Sequence, residues 1–148
     1  MEALTTILTH HHQHCDELFT TVEAKVHEGD WQAAQEAQQR LNAEIEWHFQ
    51  AEENRLFPSF EALTGMSGGP TAVMREEHAQ MRELLEECGE AIGRQDGAGF
   101  ADRAETLLIL LQQHNLKEEN VLYPMCEHQL GAEGEQFAAQ FAQEIAAL

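Results

Sequence analysis

The chain has 148 residues, and its 27 acidic against 8 basic side chains give a formal net charge of −19 at pH 7. This length predicts one domain with a core large enough to fold without disulfides or a structural zinc ion. The charge argues against nucleic acid and anionic membrane surfaces as partners, because a protein binds either of them through a basic patch. The sequence does not indicate a protein partner.

The three cysteines lie far apart and form no Cys-x-x-Cys pair, which argues against a disulfide framework and a zinc knuckle. The N-terminus has no basic segment followed by an apolar run, and no stretch is apolar over the length of a membrane span. We therefore expect a cytoplasmic protein. The unusual feature of the composition is its 9 histidines, so the function depends on where they lie.

Ala, Leu, Glu and Gln dominate the chain, which has only 3 prolines, and this composition favours helices. Turn residues divide it at 28–30, 65–70, 93–99 and 131–134. Apolar residues recur with helical periodicity in the long segments between these turns. They are Leu4, Leu8, Cys15, Phe19, Val22 and Val26, then Leu41, Ile45 and Leu56, then Val73, Met81, Leu84, Leu85, Cys88 and Ile92, then Phe100, Leu107, Leu111, Val121 and Met125. We predict an all-α fold, an up-down-up-down four-helix bundle with a short C-terminal extra helix over 133–148.

The second half of the chain repeats the first. The stretch HFQAEENRLFP at 48–58 aligns with HNLKEENVLYP at 114–124, an offset of 66 residues, and the same offset places His12 on His78. This pattern predicts two helical hairpins related by a pseudo-twofold axis. Each hairpin contributes one histidine from its first helix and a His-x-x-x-Glu pair from its second.

Residues four apart lie on one face of a helix, so each His-x-x-x-Glu pair presents an imidazole and a carboxylate together. His48 and Glu52 fall inside the apolar stripe of the second segment, as His114 and Glu118 do in the fourth. Buried carboxylates are costly unless they are paired or bound to a metal, and these faces offer no arginine or lysine. Imidazole and carboxylate ligands suit iron, manganese or zinc, whereas magnesium and calcium prefer oxygen alone.

The pattern His, His-x-x-x-Glu, His, His-x-x-x-Glu over 12–124 resembles the hemerythrin-like HHE cation-binding domain, a four-helix bundle that holds two iron ions in an oxo- or hydroxo-bridged non-haem centre. The resemblance implies a single hemerythrin-like domain over 1–148, built from two pseudo-repeats of about 1–64 and 71–130. It also implies four terminal metal ligands, which are His12, His48, His78 and His114. By the same resemblance, the carboxylates of Glu52 and Glu118 bridge the two metal ions. Two octahedral ions with these ligands and a shared bridge would each keep an open position for a small diatomic or peroxide ligand.

Two positions depart from the oxygen-carrying hemerythrins, which have an extra histidine four residues before the third-helix ligand and an aspartate in the last helix. Here these positions hold Met74 and Glu118. The site looks more like the six-ligand type of iron–sulfur cluster repair di-iron proteins and of iron- or oxygen-responsive HHE domains. We expect Met74 to pack in the core, and Glu53 and Glu119 to lie at the surface or behind the ligands.

The sequence favours a di-iron protein that binds or reacts with oxygen, nitric oxide or peroxide, in sensing, detoxification or iron handling. One alternative is a di-iron enzyme for iron–sulfur cluster repair or peroxide reduction. The other is a zinc- or manganese-binding bundle with a structural or regulatory role.

Three neighbouring features have simpler interpretations. His11 lies near the edge of the apolar stripe and is the alternative to His12 as the first ligand, although the repeat favours His12. Tyr123 has Phe57 as its counterpart, so we expect its ring to pack in the core outside the symmetric site. The prolines that end the two matched stretches should kink or stop the second and fourth helices beyond the ligands.

Overall fold

The computed structural model describes residues 2–148, and within them the backbone is helical with no strands. The helices are α1 (Leu4–Glu28), α2 (Trp31–Ala51), α3 (Phe57–Thr64), α4 (Pro70–Gly93), α5 (Gly97–Lys117), α6 (Tyr123–Leu130) and α7 (Ala132–Ala146). Two π-helical segments, Glu52–Leu56 and Glu118–Leu122, join α2 to α3 and α5 to α6, so each pair runs as one continuous helix. The predicted all-α bundle with an additional C-terminal helix is confirmed.

The long helices pack in a closed cycle. Helix α1 packs against α2 and α5, and α4 packs against the same two helices. Short turns join α1 to α2 and α4 to α5, and a loop at 65–69 leads from α3 to α4, which gives the up-down-up-down order. Helix α7 packs against α1 and α6.

The two hairpin turns have the same structure although their sequences differ. Gly29 after α1 and Gln95 after α4 both adopt a positive φ, of 74° and 57°. The next residues, Asp30 and Asp96, begin the following helix by accepting a hydrogen bond from the backbone N–H three residues on. The repeat therefore extends through the turns, and the α1–α2 and α4–α5 pairs are matched hairpins.

The π-helical segments let both continuous helices pass a proline without stopping. Pro58 and Pro124 are the second residues of α3 and α6, two positions after the ends of the segments. In an α-helix a proline lacks the N–H for the i→i−4 hydrogen bond, and its ring clashes with that carbonyl. A π turn inserts one residue and bonds i→i+5, which changes the spacing at this point. Of the two expected effects, a kink or a stop, the stop does not occur, because the helices continue to Thr64 and Leu130.

Two apolar cores lie along the bundle. The first core comprises Cys15, Phe19, Val22, Ala34, Leu41, Ile45, Phe49, Met81, Leu85, Cys88, Ala91, Ile92, Phe100, Ala104, Leu107 and Leu111. The second core comprises Leu4, Ile7, Leu8, Ala51, Leu56, Phe57, Phe60, Met74, Leu122, Tyr123, Cys126, Leu130, Ala138 and Phe141. In α1, the buried His11 and His12 lie between Leu8 of the second core and Cys15 of the first. Buried polar residues separate the two cores in the other long helices in the same way, so a polar layer crosses the bundle.

Two residues predicted to be in the core are exposed. Val73 and Val121 have exposed fractions of 47% and 53%. Val121 lies within the second π segment, three residues after Glu118, and the extra residue of that turn moves it off the face that it would share in an α-helix. Val73 lies one residue away from the buried face of α4, which runs through Met74 and His78.

Candidate metal centre

The polar layer contains all six residues predicted as metal ligands. None is more than 5% exposed; they are His12 in α1, His48 in α2, His78 in α4, His114 in α5, and Glu52 and Glu118 in the π segments. Their side chains form two groups, each with ligand atoms within 4.8 Å of one another. The first cluster is His12, His48, Glu52 and Glu118, and the second cluster is Glu52, His78, His114 and Glu118.

Both carboxylates belong to both clusters. In the first cluster, Nε2 of His12 lies 3.1 Å from an oxygen of Glu118. Nε2 of His48 lies 3.3 Å from an oxygen of Glu52. In the second cluster, Nε2 of His78 lies 3.1 Å from an oxygen of Glu52, and Nε2 of His114 lies 3.3 Å from an oxygen of Glu118. Each carboxylate therefore lies between two pairs of imidazoles, the position from which its two oxygens are able to bridge two metal ions.

The π segments determine which side chains enter the polar layer. Glu52 and Glu118 are the first residues of these segments, one helical turn after a ligand histidine. The backbone N–H groups of Phe57 and Tyr123, five residues further on, donate to the carbonyls of Glu52 and Glu118. As a result the side chains of Phe57 and Tyr123 are fully buried near the carboxylates.

Three of the four ligand imidazoles have a carboxylate at their second ring nitrogen. The pairs are His12 Nδ1 with Glu119 at 2.7 Å, His78 Nδ1 with Glu53 at 2.6 Å, and His114 Nδ1 with Glu77 at 2.8 Å. A carboxylate on Nδ1 fixes the tautomer and the ring orientation, and leaves Nε2 as the metal-binding atom. Glu53 and Glu119 thus lie behind the ligands, which was one of the two expected places for them.

The fourth imidazole, His48, has a different partner. Its Nδ1 lies 2.9 Å from Nδ1 of His11, and Nε2 of His11 lies 2.8 Å from the buried carboxylate of Glu44. His11 occupies the position that Glu77 has in the other repeat. The structure therefore places His12 in the first cluster, with His11 outside both clusters and behind His48.

The hydrogen bonds around the site shift the protonation of its groups. Burial raises the pKa of Glu53, but hydrogen bonds from His78 and Arg82 outweigh burial and lower that pKa to about 2. Burial lowers the pKa of His12 and His78, but two close glutamates beside each ring outweigh burial and raise each pKa to about 9. Since a metal binds neutral imidazole, an ion entering at neutral pH has to displace protons from these two histidines.

Four atoms of the second cluster have no hydrogen-bond partner within the described part of the chain. They are Glu52 Oε1, His78 Nε2, His114 Nε2 and Glu118 Oε2. Buried polar atoms without partners are rare and costly. His78 Nε2 lies 3.1 Å from Glu52 Oε1, so either a proton or a metal ion has to lie between these lone pairs. Imidazole nitrogen and carboxylate oxygen together suit iron, manganese or zinc, and the residues present fit such an ion.

Tyr123 is a residue of the polar layer that the sequence pattern missed. Its hydroxyl lies 2.6 Å from Glu52 Oε2 and 2.9 Å from Glu118 Oε1. It also lies 3.0 Å from Nε2 of His48 and 3.1 Å from Nε2 of His12. The expectation that the ring only packs in the core is wrong, because the π segment turns the residue five positions after Glu118 toward the site. Burial and the two neighbouring carboxylates raise the pKa of the phenol well above its usual value.

A small cavity lies beside the first cluster. Its volume is about 20 Å³, and its walls are His12, Cys15, Asp16, Ile45, His48, Phe49, Leu111 and Asn115. A water molecule needs roughly 10–15 Å³ of such space. The cavity therefore has room for a molecule of about the size of water next to two of the ligand histidines.

The chain matches a known protein family. The family model of the hemerythrin HHE cation binding domain matches residues 3–126, which include both clusters and the residues behind them. No curated protein and no solved structure matches the chain. Within residues 2–148, none of the helices has both the length and the apolar composition that crossing a membrane requires.

Proposed function

The chain belongs to the hemerythrin HHE cation-binding family, and from this premise we propose that it holds two iron ions, one in each cluster. In this proposal the terminal ligands are the four histidines and the bridging ligands are the two glutamates, that is His12, His48, His78, His114, Glu52 and Glu118. The iron centre binds or reacts with a small molecule such as oxygen, nitric oxide or peroxide. The role is sensing, detoxification or iron handling.

The sharing of two buried carboxylates by two sets of imidazoles carries the proposal. Glu52 and Glu118 are both 0% exposed, with no arginine or lysine among their hydrogen-bonding or ion-pair partners in residues 2–148. Two such carboxylates in one layer repel each other and lose hydration energy. Two metal ions between the carboxylates and the four imidazoles would offset both costs and would also satisfy the two imidazole nitrogens and two carboxylate oxygens that have no hydrogen-bond partner in residues 2–148.

Bound iron would supply open coordination positions and redox chemistry for a small ligand. The protein's own residues orient and enclose the centre. Glu53, Glu77 and Glu119 hold three imidazoles with Nε2 directed at the carboxylates. The apolar cores on both sides exclude bulk water, and a cavity of about 20 Å³ beside the first cluster has room for a molecule of about the size of water.

Metal analysis of the purified protein tests the proposal. Aerobically purified protein is expected to contain two irons per chain, one per cluster, and to show oxo-to-iron charge-transfer absorption. The double variant Glu52→Ala/Glu118→Ala is expected to lose both the iron and the absorption, because both ions lose their bridging ligands. A control variant, Glu83→Ala/Glu86→Ala, removes two exposed glutamates of α4 and should keep both.

Two outcomes would contradict the iron proposal. One is a Glu52→Ala/Glu118→Ala variant that keeps iron and absorption. The other is wild-type protein that, after expression without metal supplementation, contains zinc or manganese instead of iron, which would support a structural or regulatory metal site.

A further inference from the structure

The two halves of the site differ at one position. Tyr123 in the second repeat corresponds to Phe57 in the first, and both side chains are fully buried. The phenol brings an oxygen into the polar layer, whereas the ring of Phe57 stacks on His78 with centroids 6.0 Å apart. The ligand residues are symmetric in type, so this oxygen is a chemical difference between the two clusters.

The hydroxyl of Tyr123 is close to the donor atoms of one cluster. Its four short contacts, of 2.6 to 3.1 Å, go to the two imidazoles and the two carboxylates of the first cluster. In the second cluster, the four atoms that lack a partner include both imidazole Nε2 atoms. The phenol therefore belongs to the first cluster.

The spacing of these contacts is that of ligands on one ion. Bonds from a metal to nitrogen or oxygen in proteins are about 2.0–2.2 Å long, so two ligands at a right angle lie about 2.8–3.1 Å apart. The Tyr123 oxygen lies within this range of three of the other four donor atoms, at 2.9, 3.0 and 3.1 Å, and lies closer, at 2.6 Å, to the oxygen of Glu52. It thus has the position of a fifth ligand that is adjacent to each of the other four.

We propose that the phenolic oxygen of Tyr123 is a ligand of the metal ion in the first cluster, which makes the two metal positions inequivalent. This inference rests on the proposed function, since it requires that both clusters hold metal. On binding, the oxygen forms a bond to the ion, the O–H bond breaks, and the proton leaves to solvent. The ion of the first cluster then has five protein donors and the ion of the second has four, so a small ligand finds fewer open positions on the first.

Tyrosine spectroscopy tests this inference directly because Tyr123 is the only tyrosine in the chain. The metal-free protein is titrated with zinc at neutral pH while the ultraviolet difference spectrum of tyrosinate is recorded and bound zinc is counted. We expect one tyrosinate per chain when both clusters are filled. The iron-loaded protein should in turn show tyrosinate ring modes in its resonance Raman spectrum.

Two variants serve as controls. Tyr123→Phe should bind metal without either tyrosinate signal. Phe60→Leu removes another fully buried aromatic ring of the second core and should keep both signals, which separates loss of the phenol from loss of packing. Circular dichroism checks that both variants are folded.

The outcomes distinguish this inference from the proposed function. Two bound ions per wild-type chain without a tyrosinate signal would overturn the inference and leave the metal centre standing. Wild-type protein that binds no metal would overturn both. The wild-type titration decides between these outcomes even if Tyr123→Phe fails to fold.

Discussion

At the scale of single residues, the groups behind the ligands determine how the imidazoles bind. Glu119 contacts Nδ1 of His12 at 2.7 Å and lies in the same position relative to Glu118 as Glu53 does to Glu52. These carboxylates fix which nitrogen carries the proton, and they make the metal-binding nitrogen more basic. The ligands and the residues behind them form one hydrogen-bonded unit.

Removal of one such carboxylate is expected to weaken metal binding. Glu119→Gln should lower the affinity of the first cluster by about 10–100-fold because His12 loses its charged partner. A chelator competition titration measures the effect. Glu105→Gln, which changes an exposed glutamate of α5, is the control and should leave the affinity unchanged. An unchanged affinity in Glu119→Gln would show that the contact does not orient His12.

Metal affinity is expected to rise with pH. His12 and His78 have pKa values raised to about 9 by their glutamate partners, against burial, so both carry a proton at neutral pH in the metal-free protein. A metal ion displaces these protons, and its affinity should increase by up to about tenfold per pH unit for each one until the pH passes those pKa values. Competition titrations between pH 6 and 9, corrected for the protonation of the chelator, give the slope. A flat profile would mean that both imidazoles are already neutral.

The clustering of the six predicted ligands could be predicted from the sequence, and the partners behind them could not. The duplicated His-x-x-x-Glu pattern and the matched His12 and His78 are visible along the chain because helical spacing places them on one face. The contacts of Glu77 with His114 and of Glu44 with His11 join different helices. They depend on how the helices pack, which no local pattern contains.

At the scale of helices and turns, the two hairpins show how one structure forms from different residues. Gly29 and Gln95 both have a positive φ, a conformation that costs a residue with a side chain about 1–2 kcal/mol. Gln95 is thus strained in a position that Gly29 occupies freely. The matched aspartate caps that follow hold both turns in place.

Exchange of these two residues should change stability in opposite directions. Gln95→Gly should raise the free energy of unfolding by up to about 1 kcal/mol, since relief of strain exceeds the added flexibility of the unfolded chain. Gly29→Gln should lower it by about 1 kcal/mol. Denaturant unfolding of the metal-free protein measures both. Equal effects of the same sign would contradict the matched-turn interpretation.

Helix boundaries could be predicted from turn residues and periodicity, but the π segments could not. The same inserted residue moves Val121 out of the core and brings Tyr123 to the carboxylates. A regular α-helical wheel assigns these two residues to the wrong faces. The prolines indicated a disturbance of the helix, but not that a π turn would absorb it.

At the scale of the whole molecule, the bundle is built around a buried layer of carboxylates and imidazoles. Two apolar cores lie on either side of buried carboxylates and imidazoles. Metal binding therefore contributes to the stability of the entire fold, because the ligands come from four helices and the unfolded chain cannot present them together.

Removal of metal is expected to lower the melting temperature. A ligand at a concentration 100 times its Kd stabilises a protein by about 2.7 kcal/mol per site. For a chain of this size that corresponds to a shift of roughly 5–10 °C per site, or roughly 10–20 °C for two sites. Thermal unfolding followed by circular dichroism, with metal and with excess chelator, measures the shift. The same difference in melting temperature in the variant Glu52→Ala/Glu118→Ala would show that the stabilising metal binds elsewhere.

The central claim is that this chain contains two metal positions that share two carboxylates. Equilibrium titration of the metal-free protein with ferrous iron under anaerobic conditions tests it most directly. We expect two ions per chain in the wild-type protein and one in His78→Ala/His114→Ala, because this variant loses both imidazoles of the second cluster and keeps those of the first. A single ion in the wild-type chain, or two in this variant, would contradict it.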